Sequence, residues 1–168
     1  DYLLYRLTGE FVTEKTLQSS TIYYDIHNDC WWKEMLDFIG VSENQLPKLC
    51  NSGEMVGEYK GIKIATSAMD QVAGAIGAGV VKPGIVSEMT GTTMAVFVPT
   101  DKAPEYVEGS KIPCHMNYDG NYALLIFSAT AGMALKWFKN NLCEDYSFDD
   151  LNKLVEKVDA GSNGLTFL

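Results

Sequence analysis

Gly61-Ile62-Lys63-Ile64-Ala65-Thr66-Ser67-Ala68-Met69-Asp70-Gln71-Val72-Ala73-Gly74-Ala75-Ile76-Gly77-Ala78-Gly79-Val80 is the stretch that decides the fold class. Ile62–Thr66 alternates apolar and polar residues, the period of a strand. From Asp70 the pattern changes to small residues, with Val72, Ala73, Ile76 and Val80 along one side, the period of a helix. A strand that turns directly into a helix, repeated along a chain, gives an α/β or α+β protein.

Working outward, Asp1–Leu7 reads as the end of a helix, stopped by Gly9. Val12–Asp25 is polar and reads as loop or short helix. Trp32, Met35, Leu36 and Ile39 lie at helical spacing, and Gly40 ends that helix. Asn44–Gly61 holds Pro47, Gly53 and Gly57 and reads as a connecting loop. On the other side, Pro83-Gly84 is a turn and the expected domain boundary. Ile85–Met89 and Met94–Val98 read as two strands around a Thr90-Gly91-Thr92-Thr93 tip. Pro99–Gly120 is expected to be loop with one strand near Cys114, and Tyr122–Phe127 an apolar strand. Ser128 is expected to cap a helix carrying Ala131, Ala134, Leu135, Phe138 and Leu142. Ser147-Phe148-Asp149-Asp150 looks like a capping box opening a further helix with Leu151, Leu154, Val155 and Val158.

Composition narrows the function classes. The 168 residues carry a formal net charge of −9, with 11 acidic and 7 basic residues in 1–84 and 11 and 6 in 85–168. Nucleic-acid binding needs clustered Lys and Arg, which are missing, so no nucleic-acid partner is expected. No run of eighteen apolar residues occurs, so no membrane partner is expected either. Cys30, Cys50, Cys114 and Cys143 form no CxxC pair, and His27 and His115 stand apart, which announces no metal cage. Reduced thiols in a cytoplasmic protein are the expectation. The chain opens without a signal-peptide layout or an initiator Met and ends without a polar tail, so both ends are expected to be cuts in a longer protein.

Four positions could carry chemistry. Asp70, between strand and helix, either faces a ligand at the helix N-terminus or serves only as an N-cap. Gly91-Thr92-Thr93 either admits a phosphate to the backbone or is a hairpin turn that needs glycine. Gly132 either meets a nucleotide or packs closely. Gly74-x-x-Gly77-x-Gly79 reverses the dinucleotide fingerprint and lies inside a helix, so it reads as close packing. Trp31, Trp32 and Trp137 read as core or rim residues.

The order of these segments resembles the FGGY family of carbohydrate kinases, which includes xylulokinases and glycerol kinases. The resemblance is carried by Asp1-Tyr2-Leu3 with Leu7-Thr8-Gly9-Glu10 and by Val12-Thr13-Glu14 with Ser19-Ser20-Thr21 and Tyr24-Asp25-Ile26. It continues through Trp32, Leu36 and Leu46-Pro47, then Asp70-Gln71-Val72-Ala73-Gly74-Ala75, Gly91-Thr92-Thr93, Ala131-Gly132 with Lys136-Trp137-Phe138, and Gly161-Ser162-Asn163-Gly164-Leu165. It implies ribonuclease-H-like (actin-like ATPase) domains, both incomplete. Residues 1–83 would end the N-terminal kinase domain and 84–168 would begin the C-terminal one.

It also implies transfer of a phosphoryl group from ATP, with Mg²⁺, to a sugar or polyol hydroxyl. Asp70 would be the base, Gln71 a substrate ligand, Gly91, Thr92 and Thr93 phosphate ligands, and Gly132 a nucleotide neighbour. In many xylulokinases the residue after the base is Asn; glycerol kinases have Gln. Departures are instructive. Ser67-Ala68-Met69 replaces a common Gly-rich run and is expected to crowd the base. Glu14 replaces the usual Asp, and Lys15 stands where glycerol kinases tend to have Tyr, which argues against glycerol. A non-catalytic nucleotide-binding member of the actin-like superfamily is the alternative, motivated by Thr66–Met69. The isolated piece is expected to be inactive, and its unpaired sheet edges leave a homo-oligomer open.

Overall fold

The computed structural model describes residues 1–105 and 107–166. They form two compact units: residues 1–89 with 95–105 and 107–127, and residues 90–94 with 128–166. Pro83 and Gly84 fall inside the first unit.

The first unit opens with α1 (Tyr2–Thr8), closed by Gly9 in the left-handed region at φ 78°, as its sequence indicates. Next come β1 (Val12–Glu14) and a single helical turn, α2 (Lys15–Gln18). Here a loop or short helix was expected, and the strand is the correction. It is three residues long, too short to show a period, and it exists through parallel pairing with β4 (Lys48–Cys50), Thr13 opposite Leu49. β2 (Tyr24–Asp25) and β3 (Cys30–Trp31) form a small antiparallel ribbon. α3 (Lys33–Ile39) follows, and Gly40 ends it at φ 72°.

The expected loop 44–61 contains β4 and then β5 (Met55–Tyr59), which forms a hairpin with β6 (Ile62–Ala65). Lys60 and Gly61 turn the chain with φ of 52° and 82°, a two-residue turn of the kind that matches strand twist. Gly57, which reads as a loop breaker, lies inside β5 because α1 passes directly over it. A Cβ there would sit 2.8 Å from Thr8 Cγ2.

α4 (Asp70–Gly77) lies against a four-stranded sheet of order β7-β8-β10-β9. Its strands are β7 (Ser87–Thr90), β8 (Met94–Thr100), β9 (Cys114–Met116) and β10 (Tyr122–Ser128). β9 and β10 are antiparallel, with His115 opposite Ala123. Met69, Val72, Ala75 and Val80 pack with Phe97 and Ala123 into one core. Val72, Ala75 and Ala123 are fully buried. The buried face of α4 is thus Val72 and Ala75, whereas Ala73 and Ile76, expected inside, are exposed. Burying a side chain the size of Phe97 stabilises by about 1.5–3 kcal/mol. A second core joins Tyr24, Trp31, Leu36 and Met116. Tyr24 and Trp31 meet edge to face at 6.4 Å, a favoured aromatic geometry. Of the expected glycine packing, only Gly74 approaches a neighbour, Met89 Sδ at 3.4 Å.

The second unit contains α5 (Gly132–Leu142) and α6 (Phe148–Val155). The Ser147–Asp150 capping box forms as read, with Asp150 N–H donating to Ser147 Oγ at 3.1 Å and Ser147 N–H to Asp150 Oδ2 at 3.1 Å. Two expectations need correcting. α5 starts at Gly132 and Ser128 does not cap it; the Ser128 hydroxyl donates to Thr130 O at 2.8 Å instead. The periodic residues of both helices are largely uncovered. No residue of α5 is buried, and in α6 only Leu151 is.

Candidate active site

Asp70 is the first residue of α4 and is exposed. Its Oδ1 accepts the N–H of Gln71 at 2.8 Å, so a carboxylate caps its own helix turn where the helix dipole favours negative charge. The N-cap position belongs to Met69. Met69 itself turns inward: its side chain is 7% exposed and part of the α4 core. The bulk expected to crowd Asp70 is therefore spent on packing.

The backbone ahead of Asp70 is pinned from below by a polar network that the sequence did not announce. Met69 N–H donates to Thr16 Oγ1 at 2.8 Å, and Ser20 Oγ donates to Met69 Sδ at 3.2 Å. Thr16 Oγ1 in turn donates to Glu14 Oε2 at 2.6 Å. Glu14 is 5% exposed. Besides that hydroxyl it accepts Thr16 N–H at 2.9 Å, Leu17 N–H at 3.0 Å and Ser52 Oγ at 2.7 Å. Four donors satisfy one buried carboxylate, which is what burial of a charge requires. Upstream, Thr66 is 5% exposed; its hydroxyl donates to Asn51 O at 2.6 Å and accepts Glu54 N–H at 2.9 Å. Thr66–Met69, the stretch that motivated the non-catalytic alternative, is held at both ends.

Lys15, the departure beside Glu14, pairs with Asp29 at 2.7 Å. The other oxygen of Asp29 accepts the Tyr24 hydroxyl at 2.5 Å. Burial first, and then Asp29, push the Tyr24 phenol far above its ordinary range.

Gln71 follows Asp70 on α4, whereas Gly91, Thr92, Thr93 and Gly132 come together in the second unit. Gly132 N–H donates to Gly91 O at 3.0 Å, Ala131 N–H to Thr92 O at 3.0 Å, and Met133 N–H to Thr92 O at 3.4 Å. Gly91 N–H donates to Thr93 O at 2.8 Å, closing the loop on itself. Residues 41 positions apart thus form one object: a Gly-Thr-Thr loop seated on the start of α5. Gly91 and Thr92 are exposed, and a Cβ at Gly91 would meet no atom within 4 Å. The loop therefore has open space beside it. Among the described residues no group of three or more His, Cys, Asp and Glu could hold a metal ion. No helix among them is long and apolar enough to cross a membrane.

Comparison with known proteins gives this arrangement a context. The N-terminal domain of the FGGY family of carbohydrate kinases matches residues 1–79. A glycerol kinase from Bradyrhizobium diazoefficiens is 35% identical over 153 residues, 84% of this chain and 30% of the relative. A xylulose kinase from Bacillus subtilis is 27% identical over 179 residues, 99% of this chain and 36% of the relative. The chain therefore spans about a third of the length of the curated relatives it matches. Among solved structures, a ligand-bound xylulose kinase from Lactobacillus acidophilus superposes with a TM-score of 0.87 at 24% identity, covering 99% of this chain and 36% of that one. A Plasmodium falciparum glycerol kinase with ADP gives 0.79 at 22% identity, covering 88% of this chain and 32% of that one. The solved structures show that the chain has the fold of these kinases, and the family model over residues 1–79 with the kinase relatives aligned along the chain places it in the FGGY family of carbohydrate kinases.

Proposed function

We propose that this chain is the middle portion of a cytoplasmic, ATP-dependent carbohydrate kinase that phosphorylates a hydroxyl of a sugar or polyol. Residues 1–83 are assigned to the end of its N-terminal domain, a boundary supported by the family match ending at residue 79. Residues 84–168 are assigned to the start of its C-terminal domain. The observation that carries the reading is the setting of Asp70: an exposed carboxylate on the first turn of α4, above a backbone pinned by Met69, Thr16 and Glu14.

In this reading Asp70 accepts the proton of the acceptor hydroxyl as that oxygen bonds to the γ-phosphorus of ATP and the bond from that phosphorus to the bridging oxygen breaks, releasing ADP. Phosphoryl transfer asks mainly for positioning and neutralised charge, so one carboxylate base on a fixed backbone suffices on the acceptor side. Gln71 offers an amide donor and acceptor to substrate hydroxyls. Gly91 leaves room at the loop, and Thr92 and Thr93 present hydroxyls and amides to phosphate oxygens. ATP with Mg²⁺ supplies the phosphoryl group and the cation that screens it; the metal is assigned to the triphosphate. The Lys15–Asp29 pair replaces an aromatic side chain common in glycerol kinases, and glycerol is not the substrate expected.

The test is ATP-dependent phosphorylation by the full-length protein on a panel of ketoses, aldoses and polyols. Sugar phosphate formed with at least one member, and none without ATP, is the expected result. ATP binding with no turnover on any member would favour a non-catalytic nucleotide-binding protein.

A further inference from the structure

Gly132 is placed by contacts within the protein. A Cβ on it would lie 2.4 Å from Gly91 O and 3.4 Å from Gly91 C, so no residue but glycine allows the loop to sit where it does. The first N–H groups of a helix have no partner within the helix. In α5 those of Gly132 and Met133, with that of Ala131 just before them, are given to the carbonyls of Gly91 and Thr92. An anion at this helix start would find these donors already occupied. Gly91 is the opposite case: its φ is not in the left-handed region and the space beside it is open. One glycine is demanded by the protein, and the other leaves room for something outside it.

We infer that Gly132 is a positioning residue, which seats the Gly91-Thr92-Thr93 loop on α5 so that Thr92 and Thr93, and not the amides of α5, hold the nucleotide phosphates. The inference rests on the kinase reading above. It changes the role expected of Gly132 from nucleotide contact to support of the loop that makes the contact. A methyl group at 132 would push Gly91 O back by more than half an ångström. Misplacement of this order costs about 10- to 100-fold in turnover.

The experiment uses the full-length protein. Gly132→Ala should keep a cooperative thermal transition, lose about 10- to 100-fold in kcat with weakened ATP affinity, and bind adenosine as the wild type does. A parallel loss of adenosine affinity would overturn the inference, because it would mean that Gly132 touches the nucleoside. Should Gly132→Ala fail to fold, wild-type amide hydrogen exchange decides. On adding the imido analogue of ATP with Mg²⁺, Thr92 and Thr93 should slow, while Ala131, Gly132 and Met133 should already be slow and stay so. Slowing confined to 131–133 would overturn it. Absence of any heat of ATP binding by the wild type would instead remove the kinase reading itself, and the inference with it.

Discussion

Glu14 is the residue whose removal should cost this chain most for its size. It is a buried carboxylate with four donors: two backbone N–H groups and two hydroxyls. In Glu14→Ala the hydroxyls of Thr16 and Ser52 can rotate to other acceptors, but the N–H groups of Thr16 and Leu17 cannot. Each buried donor left without a partner costs about 1–3 kcal/mol, and the lost side-chain cap of α2 is contained in that figure. The expected destabilisation is about 3 kcal/mol. Glutamine is informative because each oxygen of Glu14 takes one N–H and one hydroxyl. Whichever way the amide turns, its NH₂ faces a backbone N–H, so Glu14→Gln should cost about 2 kcal/mol. Aspartate, a favoured N-cap, should reach the two N–H groups and lose mainly the Ser52 contact, and should be the mildest. At about 2–4 °C per kcal/mol for a domain of 150–250 residues, the alanine variant should melt roughly 6–12 °C early. Urea unfolding gives the free energies directly. The Met69 amide should also exchange faster in Glu14→Ala, because Thr16 Oγ1 accepts from Met69 while donating to Glu14. An alanine variant within about 0.5 kcal/mol of wild type, the range of an ordinary surface substitution, would refute the network as described.

His115 is 6% exposed, its Nδ1 has no partner among the described residues, and burial holds its imidazole below the ordinary value of 6.5. The unfolded chain therefore binds this proton first as the solution is acidified. Stability should be fully present above about pH 6.5 and fall as pH drops from there toward the lowered native value. Urea midpoints across pH 5–8 should show this slope, and His115→Gln should flatten it; an unchanged slope would remove His115 as the cause. Gly57→Ala places a methyl group 2.8 Å from Thr8 Cγ2 and 2.9 Å from Thr8 Cβ. It should cost about 1–3 kcal/mol as an overpacked contact, partly recovered in the double variant with Thr8→Ser, measured by the same unfolding. A cost under about 0.5 kcal/mol would contradict the close passage of α1 over β5.

The features legible in the sequence are those with a local cause. Gly9 and Gly40 end helices in the left-handed conformation, and Ser147 with Asp150 closes a capping box, each within one turn of chain. β1 and β4 were hidden because each is three residues long and exists only through the other. Gly57 misled because its glycine serves contact with α1, not a turn. The face of α4 shifted because its partner sheet touches Val72 and Ala75 rather than the wider stripe that spacing allows. The site divides the same way. Asp70 and the Gly-Thr-Thr loop stood out by position and by family resemblance. The support beneath them did not, since Glu14 is an unusual cap and its reach to Ser52 and Met69 crosses 38 and 55 positions. Glycine at 132 signalled close packing, but its partner, the backbone of Gly91, lies 41 positions away and is named by no local pattern.

The central claim is that Asp70 takes the acceptor proton, and single-turnover phosphorylation by full-length wild type and Asp70→Asn tests it most directly. Asparagine keeps the shape and can still accept the Gln71 N–H, but it cannot take up a proton. The account predicts that the chemical step falls by about 100- to 10,000-fold while ATP and sugar affinities stay within a few-fold. Wild-type turnover in Asp70→Asn would contradict it.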